Sequence, residues 1–318
     1  MLEDINIKKQ IKIIFMGTPD FSVPVLEALI AKYNVRAIVT QPDREVGRQK
    51  VMSASPVKQV ALKKNILVLQ PEKLKNEYEE ILALDPDLII TCAYGQMVPD
   101  IILDYPKYGC INVHASLLPK LRGGAPIHRA IINGYKTTGI TIMHMASKMD
   151  AGDIISQVEV SIADTDTTEI LHNKLKIEAA DLLIKTLPSI IDHLAPRVAQ
   201  NENDVTFGFA IKREDERINF TKTKKEIYNQ IRGLNTWPGA YCTLNGQIIK
   251  VWKSYTTDNV YPTYFDGQIT NIYPDGFGVK VSNGEIVFTE IQPAGKTKML
   301  TNDFINGQKE NLIGKVLS

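Results

Sequence analysis

Short apolar runs alternate with amphipathic stretches along the first half of the chain. The apolar runs are typical of buried strands and lie at 11–16, 35–40, 66–69 and 87–93. Between them, apolar residues recur at helical spacing over 23–33, 56–64 and 78–84. Strands that alternate with helices in this way predict an α/β fold with a Rossmann-like, doubly wound and mostly parallel sheet.

A further strand is predicted at 110–114, and it carries two polar residues. Side chains alternate between the faces of a strand, so Asn112 and His114 share one face, while Ile111 and Val113 share the other. An isolated Asn or His near a strand end is most often a hydrogen-bonded core residue. The sequence then predicts a strand at 139–145 and a long helix at 167–187, which we expect Pro188 to end.

The pattern changes after a polar connector at 195–204. One helix is predicted at 222–234, and short strands follow it. They are separated by Asn245-Gly246, Asp275-Gly276 and Asn283-Gly284, which are strong hairpin-turn signals. Strands at this spacing predict a small antiparallel barrel. We therefore expect two domains, at 1–205 and 206–318.

Composition narrows the class of protein. The chain has 318 residues, 44% of them hydrophobic, and a formal net charge of +1, which indicates a globular protein and no particular partner. Cys92, Cys110 and Cys242 are scattered, so they predict neither a disulfide framework nor a metal site and fit a reducing compartment. The sequence shows no signal-peptide core and no membrane-length apolar run, so we expect a cytoplasmic protein.

Asp150 completes a candidate reactive set with Asn112 and His114. It follows the strand at 139–145, and ligands of doubly wound sheets lie beyond the carboxyl ends of strands. An amide can donate to a developing oxyanion, an imidazole can exchange protons, and a carboxylate can accept a proton from an amine. The three side chains therefore suit direct acyl transfer to an amine. Asp150 could instead be a turn residue.

Three loops leave alternatives open. Tyr94 and Gly95 follow a strand end, where a loop could line a pocket for a flat ring or simply connect two elements. The polar stretch at 41–50 is either a flexible surface loop or an arm that contacts nucleic acid. The turn after the first strand has only Gly17 and then Pro19, which is weak support for dinucleotide binding.

Taken together, these stretches resemble the methionyl-tRNA formyltransferase family over almost the whole chain. The motifs occur in the family's order: Gly17-Thr18-Pro19-Asp20-Phe21, Gln41-Pro42-Asp43-Arg44, Ser55-Pro56-Val57-Lys58, Ala93-Tyr94-Gly95, the stretch 109–127, 149–153, Trp237-Pro238-Gly239-Ala240, and 292–296. The Asn-x-His strand and the loop after it are shared by the wider folate-dependent formyltransferase group. They therefore indicate the chemistry better than the substrate.

The resemblance implies transfer of a formyl group from 10-formyltetrahydrofolate to initiator methionyl-tRNA, with no metal. It assigns catalysis to Asn112, His114 and Asp150. Residues that it implies for folate binding are Ser116, Leu117, Leu118, Pro119, Tyr94 and Gly95. Residues that it implies for tRNA binding are Arg44, Arg48 and Lys50, together with an OB-like C-terminal domain. We expect the protein to be a monomer.

Three other functions stay open at this point. A formyltransferase of this type could act on glycinamide ribonucleotide or on an amino-sugar nucleotide, and a 10-formyltetrahydrofolate hydrolase shares the same chemistry. A protein that binds RNA without catalysis could also retain the fold. It would bind tRNA in a salt-dependent way and would not bind folate.

Overall fold

The computed structural model describes residues 10–46, 50–308 and 310–318. The strands are β1 Lys12–Gly17, β2 Asn34–Val39, β3 Arg44–Val46, β4 Val51–Ser53, β5 Leu67–Leu69, β6 Leu88–Cys92, β7 Cys110–His114, β8 Thr137–His144, β9 Ile154–Ser161, β10 Ala240–Leu244, β11 Gln247–Thr257, β12 Ile269–Tyr273, β13 Gly276–Val281, β14 Gly284–Pro293 and β15 Met299–Leu300. The helices are α1 Ser22–Lys32, α2 Pro56–Lys63, α3 Glu79–Ala83, α4 Asp100–Leu103, α5 Pro126–Ile132, α6 Thr168–Ile191, α7 Arg213–Glu216, α8 Lys224–Gly233 and α9 Thr301–Asn306.

Seven strands form the first sheet, in the order β5-β2-β1-β6-β7-β8-β9. The first five strands of that order run parallel, whereas β8 is antiparallel to both β7 and β9. The predicted Rossmann-like, mostly parallel sheet is therefore confirmed. Every residue of β6 is buried, as expected of a parallel strand with both faces covered.

Local sequence explains where some helices begin. Helix α2 has Pro56 at its first position, and the Ser55 hydroxyl accepts a hydrogen bond from the backbone nitrogen of Lys58 at 3.1 Å. Helix α8 begins with a capping box, in which Thr223 and Glu226 satisfy each other's backbone N–H groups. These caps fix the start of each helix within one or two residues of the predicted position.

Two sequence predictions are wrong in detail. Pro188 does not end the long helix, since α6 continues to Ile191. A proline inside a helix removes one hydrogen bond, and here Asp192 still donates to the Pro188 carbonyl. The stretch at 41–50 is not simply a loop, because β3 pairs with β4 in an antiparallel ribbon.

The second sheet is antiparallel, with strand order β10-β11-β14-β13-β12 and β15 paired to β14. The three predicted hairpin turns are confirmed, because they join β10 to β11, β12 to β13 and β13 to β14. Leu317 bridges to Leu244 of β10, and Val316 bridges to Gln268 beside β12. The C-terminal residues therefore connect the two outer strands and close the sheet, as a small barrel requires.

Glu285 of β14 is a fully buried carboxylate in this barrel. Its Oε2 accepts hydrogen bonds from the Thr257 and Tyr273 hydroxyls, both at 2.7 Å, and from Asn259 Nδ2 at 3.3 Å. Its Oε1 accepts one from the Thr270 hydroxyl at 2.5 Å. Burial and the nearby carboxylate raise the pKa of Tyr273, so this hydroxyl stays protonated as a donor.

The chain divides into two units that are discontinuous in sequence. One unit comprises residues 1–126, 137–161 and 172–209, and the other comprises 127–136, 162–171 and 210–318. Within the second unit, the Thr168 hydroxyl donates to the Gly233 carbonyl at 2.6 Å, and Arg232 Nη1 donates to the Asp166 carbonyl at 2.8 Å. A division into 1–205 and 206–318 thus leaves out two short segments that pack with the C-terminal residues.

Candidate active site

Asn112 lies in the middle of β7, paired with Thr91 of the parallel neighbour β6. The Thr91 hydroxyl donates to Asn112 Oδ1 at 2.8 Å. The amide nitrogen is therefore turned the other way, and Nδ2 lies 3.4 Å from Asp150 Oδ1. An amide nitrogen carries two hydrogens, so Asn112 can donate to a substrate oxygen while it contacts Asp150.

His114 ends β7 on the same face and is 6% exposed. Its Nε2 lies 3.1 Å from the carbonyl oxygen of Leu121. A carbonyl can only accept, so Nε2 carries a hydrogen, and Nδ1 is the nitrogen that can gain or lose a proton. Nδ1 faces Asp150 Oδ1 at 3.7 Å. Leu121 has a positive φ of 60°, a strained conformation that turns its carbonyl toward His114.

Asp150 lies in the connection between β8 and β9, which we call the Asp150 loop (residues 145–153). Its φ of 51° is left-handed, a region that Asp tolerates better than most residues. Asp150 Oδ2 accepts a hydrogen bond from the backbone nitrogen of Gly123 at 2.8 Å, and this leaves Oδ1 toward Asn112 and His114. Gly152 is required by close packing, because a Cβ there would lie 1.9 Å from the His144 carbonyl oxygen.

The route by which Asp150 reaches this place differs from the sequence expectation. We expected it beyond the carboxyl end of a parallel strand, but β8 is antiparallel to β7 and ends beside Ile111, near the start of β7. The chain leaves β7 and re-enters the sheet from the same edge. The Asp150 loop then turns back over the face that carries Asn112 and His114.

The side chains of Asn112 and His114 converge on one oxygen, Asp150 Oδ1. This carboxylate oxygen can accept a proton, and beside it lie an amide donor and an imidazole nitrogen that can exchange one. The Asp150 side chain is 15% exposed, so the carboxylate is largely withdrawn from water. Charge interactions are stronger in such surroundings than in bulk solvent. The arrangement suits attack by an amine on a carbonyl carbon.

The loop after β7 is fixed mainly through its backbone. Thr141 of β8 donates its hydroxyl to the Ser116 carbonyl at 2.6 Å and accepts from the Leu118 nitrogen at 3.1 Å. Gln157 of β9 donates to the Leu118 carbonyl at 2.9 Å. The Ser116 hydroxyl donates to the Lys120 carbonyl at 2.6 Å and therefore serves the loop itself.

The predicted folate residues differ in exposure. The side chains of Ser116 and Leu118 are buried at 1% and 3% exposure, whereas Leu117 and Pro119 are partly exposed. A ligand beside this loop could therefore meet the side chains of Leu117 and Pro119. Ser116 and Leu118 would contribute through their effect on the loop conformation.

Tyr94 and Gly95 follow β6 at the same edge of the sheet as His114. The Tyr94 carbonyl accepts from the Thr18 hydroxyl at 3.0 Å and from Gln41 Nε2 at 3.2 Å, while its ring is buried. Gly95 is exposed with φ of 93°. A cavity of about 430 Å³ borders the next two residues of this loop and is lined by Lys73, Lys75, Asn76, Gln96 and Met97.

The turn after β1 packs tightly against this region. A Cβ at Gly17 would lie 2.7 Å from the Phe15 ring and 3.0 Å from the Cys92 carbonyl oxygen. The Ser22 hydroxyl donates to the same carbonyl at 2.6 Å. The glycine is therefore needed for close packing of strand and helix, and this reason is independent of phosphate binding.

Thr91 contacts Asn112, and Arg122 precedes Gly123, which binds Asp150; the sequence reasoning singled out neither residue. Thr91 is the polar residue of an otherwise apolar strand, and that interruption was the available signal. Arg122 is fully buried and donates to Gln200 at 3.0 Å and to Glu202 at 2.8 Å. Arg122, followed by Lys148, lowers the pKa of Glu202 to about 2. These contacts span long sequence separations, which local patterns do not reveal.

The predicted tRNA-binding residues lie on or beside the β3–β4 ribbon. Arg44 and Lys50 are exposed, and Lys50 Nζ lies 3.8 Å from a Glu45 carboxylate oxygen. Arg48 lies outside the described residues. Val51 and Met52, at 56% and 63% exposure, add apolar surface to the ribbon.

Several cations of the C-terminal domain are already engaged within it. Arg232 is 6% exposed and donates to the Ala163 and Asp166 carbonyls, so its guanidinium cannot follow a phosphate backbone. Lys224 pairs with Asp258 at 2.7 Å, and Lys253 pairs with Glu290 at 2.8 Å. Charge alone therefore does not define an RNA surface on this domain.

Across residues 10–46, 50–308 and 310–318, no group of three or more His, Cys, Asp or Glu is placed to hold a metal ion. In those ranges no helix has both the length and the apolar character needed to cross a membrane. Cys92, Cys110 and Cys242 are buried free thiols, and burial raises the pKa of each to about 12.

Comparison with known proteins shows relatives along nearly the full chain. The family model described as "Formyl transferase" matches residues 9–187, and "Formyl transferase, C-terminal domain" matches 210–309. Methionyl-tRNA formyltransferase of Bacillus cereus (strain B4264) is 55% identical over 306 residues, covering 95% of this chain and 97% of the relative. The enzyme of that name from Bacillus cytotoxicus is also 55% identical, covering 94% and 96%.

A solved structure shares the fold at lower identity. The N-formyltransferase from Helicobacter canadensis, in complex with folinic acid and dTDP-3-aminofucose, superposes with a TM-score of 0.67 at 23% identity. The similarity covers 88% of this chain and 99% of that one. At this identity the comparison establishes the architecture alone.

Proposed function

The chain belongs to the methionyl-tRNA formyltransferase family, and we propose that it transfers a formyl group from 10-formyltetrahydrofolate to the amino group of initiator methionyl-tRNA. The observation that carries the residue assignment is the convergence of Asn112 and His114 on Asp150 Oδ1 at 3.4 and 3.7 Å. The chain is an enzyme of one-carbon transfer, and its product is N-formylmethionyl-tRNA.

Each side chain has a separate task in the proposed reaction. Asn112, oriented by Thr91, donates from Nδ2 to the carbonyl oxygen as that oxygen gains negative charge. His114 holds a proton on Nε2 against Leu121 and exchanges a proton at Nδ1. Asp150 Oδ1 takes the proton that the attacking amine loses, directly or through His114, and the bond between the formyl carbon and the folate nitrogen breaks as that nitrogen gains a proton and tetrahydrofolate leaves. Ser116 has its hydroxyl committed to Lys120, so transfer without a covalent enzyme intermediate fits the site.

The residues present fit a folate cosubstrate, which supplies the formyl group when bound. The loops after β6 and β7 flank the catalytic face, and Leu117 and Pro119 offer partly exposed apolar surface to a flat ring. Exposed Gly95 lets backbone groups approach a ligand closely, because no side chain projects there. Tyr94 supports this loop through its carbonyl contacts with Thr18 and Gln41.

The acceptor tRNA is assigned to the β3–β4 ribbon and to the C-terminal domain of residues 206–318. Exposed Arg44 and Lys50 support the first assignment, and Arg48 belongs to the same proposal. The protein acts as a monomer in the cytoplasm, where charged tRNA is present. Elution mass by light scattering tests the monomeric state.

The test is formyl transfer from labelled 10-formyltetrahydrofolate to two charged acceptors, initiator and elongator methionyl-tRNA. We expect labelled formylmethionine on the initiator alone. If neither tRNA is labelled while tetrahydrofolate is still released, the acceptor is wrong, and hydrolysis or transfer to a small amine replaces this function. If folate is not bound and tRNA is, the chain is a binding protein.

A further inference from the structure

The polar connector at 195–204 makes a concentrated set of contacts with the Asp150 loop. Its residues 197–202 contact the loop at three places and the first residue of β9 at a fourth. Val198 and Ile154 exchange backbone hydrogen bonds of 3.0 and 2.8 Å, and the Arg197 guanidinium pairs with Asp153 at 3.0 Å. On the other side of the loop, Glu202 pairs with Lys148 at 3.0 Å. A stretch whose composition suggested a plain linker therefore determines where the loop lies.

Gln200 lies at the centre of these contacts. Its Nε2 donates to the Asp150 carbonyl and to the Gly152 carbonyl, both at 2.8 Å. Its Oε1 accepts from Arg122 Nε at 3.0 Å. Gln200 thus binds the backbone of Asp150 and links it to Arg122. The next residue, Gly123, binds the Asp150 carboxylate through its backbone N–H.

The backbone of Asp150 needs such support. Its left-handed φ of 51° is unfavourable for a residue with a side chain and persists only where surrounding contacts determine it. The two hydrogen bonds from Gln200 lie on either side of Ala151 and fix the turn at this point. Without them, the carboxylate would keep the Gly123 bond but lose the backbone anchor that aims Oδ1 at Asn112 and His114.

We propose that Gln200 is a positioning residue for the transfer reaction, acting through Asp150, with Arg122 holding the Gln200 amide in its orientation. This inference rests on the proposed role of Asp150. Gln200 itself touches no reacting atom. Its contribution is to keep the catalytic carboxylate within reach of the amine, and misplacement by about 1 Å can lower turnover on the order of 100-fold.

The experiment replaces Gln200 with a residue of similar length that makes no hydrogen bonds. Gln200→Met should lower kcat on the order of 100-fold while KM for both substrates changes by about threefold or less. Gln200→Glu keeps an acceptor for Arg122 and has no hydrogen to donate to the two carbonyls. It should lose turnover as well, and it covers the case in which the Met variant does not fold.

A matched control is available in the other unit. Gln230 Nε2 also donates to two backbone carbonyls, those of Asp215 at 2.8 Å and Arg217 at 3.0 Å. Gln230→Met removes two hydrogen bonds donated to backbone carbonyls, as Gln200→Met does at the Asp150 loop, and it does so far along the chain from Asp150. It should lower thermal stability and leave kcat within about twofold. The lost hydrogen bonds are structural, and their removal does not take away a contact with the transition state. An equal loss of kcat in this control would overturn the proposal.

A double-mutant cycle separates positioning from general structure. If Gln200 acts only through Asp150, Gln200→Met should cause no further loss in an Asp150→Asn background. The inference would be overturned if Gln200→Met lowered kcat as much in the Asp150→Asn background as in the parent. Full activity of the Gln200 variants would also overturn it. Full activity of Asp150→Asn alone would instead overturn the proposed role of Asp150, so the two failures are distinguishable.

Discussion

Asp150 and Glu285 are carboxylates in different units of the molecule, and they differ in how completely their oxygens are hydrogen-bonded. Glu285 is fully buried, and both of its oxygens accept short hydrogen bonds from hydroxyl groups. Asp150 has one oxygen bound at 2.8 Å by Gly123, while the other meets its neighbours only at 3.4 and 3.7 Å. Both Glu285 oxygens are therefore engaged within the protein, whereas Asp150 Oδ1 can still accept a hydrogen bond from a substrate.

This difference separates a structural polar cluster from a reactive one. A satisfied network stabilises one conformation and contributes little else. A group that must bind a changing charge needs an orientation fixed by its neighbours and an unfilled position toward the substrate. Asn112 has both, because Thr91 holds its oxygen, and its nitrogen meets Asp150 Oδ1 only at 3.4 Å and has a second hydrogen for a substrate.

The largest expected effect comes from Asn112→Ala. Removal of one oxyanion donor lowers turnover by about 10² to 10³. Stability should change little, because Asn112 is only partly buried. Turnover is measured with charged initiator tRNA, alongside a thermal unfolding curve. Glu285→Gln is the comparison variant and should keep normal turnover. Normal turnover of Asn112→Ala would contradict the role of Asn112 as an oxyanion donor.

Glu285→Gln tests the other side of the comparison. A glutamine presents an NH₂ group where the carboxylate accepted hydroxyl hydrogens from Thr257 and Tyr273. At least one buried donor then loses its acceptor, and the free energy of unfolding should fall by about 1–3 kcal/mol. Urea unfolding measures this change.

Glu310→Gln is a matched control for that variant, because Glu310 pairs with Lys315 at 2.5 Å but is 77% exposed. It should leave the free energy of unfolding close to that of the parent, because an exposed ion pair contributes little. Equal losses in the two variants would contradict the view that the Glu285 cluster is a buried structural network.

The smallest expected effect is the pH dependence of stability in the variant Glu202→Gln. The pKa of Glu202 is lowered from 4.5 to about 2 by Arg122 and then Lys148. Since the folded pKa is depressed, this stabilisation is complete above pH 4.5 and is lost as pH falls toward 2. Glu202→Gln should therefore lower the Tm at pH 7, and the difference from the parent should shrink below pH 4.5. A difference that is constant with pH would contradict the ion pairs.

Much of this architecture could be predicted because its signals are local. Apolar runs marked β1, β2 and β6, and Asn-Gly or Asp-Gly turns marked the hairpins of the barrel. The shared face of Asn112 and His114 followed from strand alternation. The prediction at Pro188 was wrong because tertiary packing can carry a helix past one missing hydrogen bond.

The rest of the site depends on long-range contacts. The antiparallel direction of β8 follows from how the chain returns to the sheet, which the composition of the strand does not indicate. Gln200 is 50 residues from Asp150, and its two carbonyl contacts involve backbone atoms that every residue possesses. The sequence of a polar stretch does not distinguish a side chain that is hydrogen-bonded to a catalytic loop from one that is exposed to solvent.

The discontinuous second unit has a consequence for how this protein could have been assembled from parts. A gene cassette that encoded only 210–318 would omit Asp166 and Thr168, which partner Arg232 and Gly233. The buried guanidinium of Arg232 would then have lost its carbonyl acceptors. Recombination that exchanges the C-terminal domain must therefore bring compatible residues in 127–136 and 162–171, so the two halves of the gene are bound to evolve together.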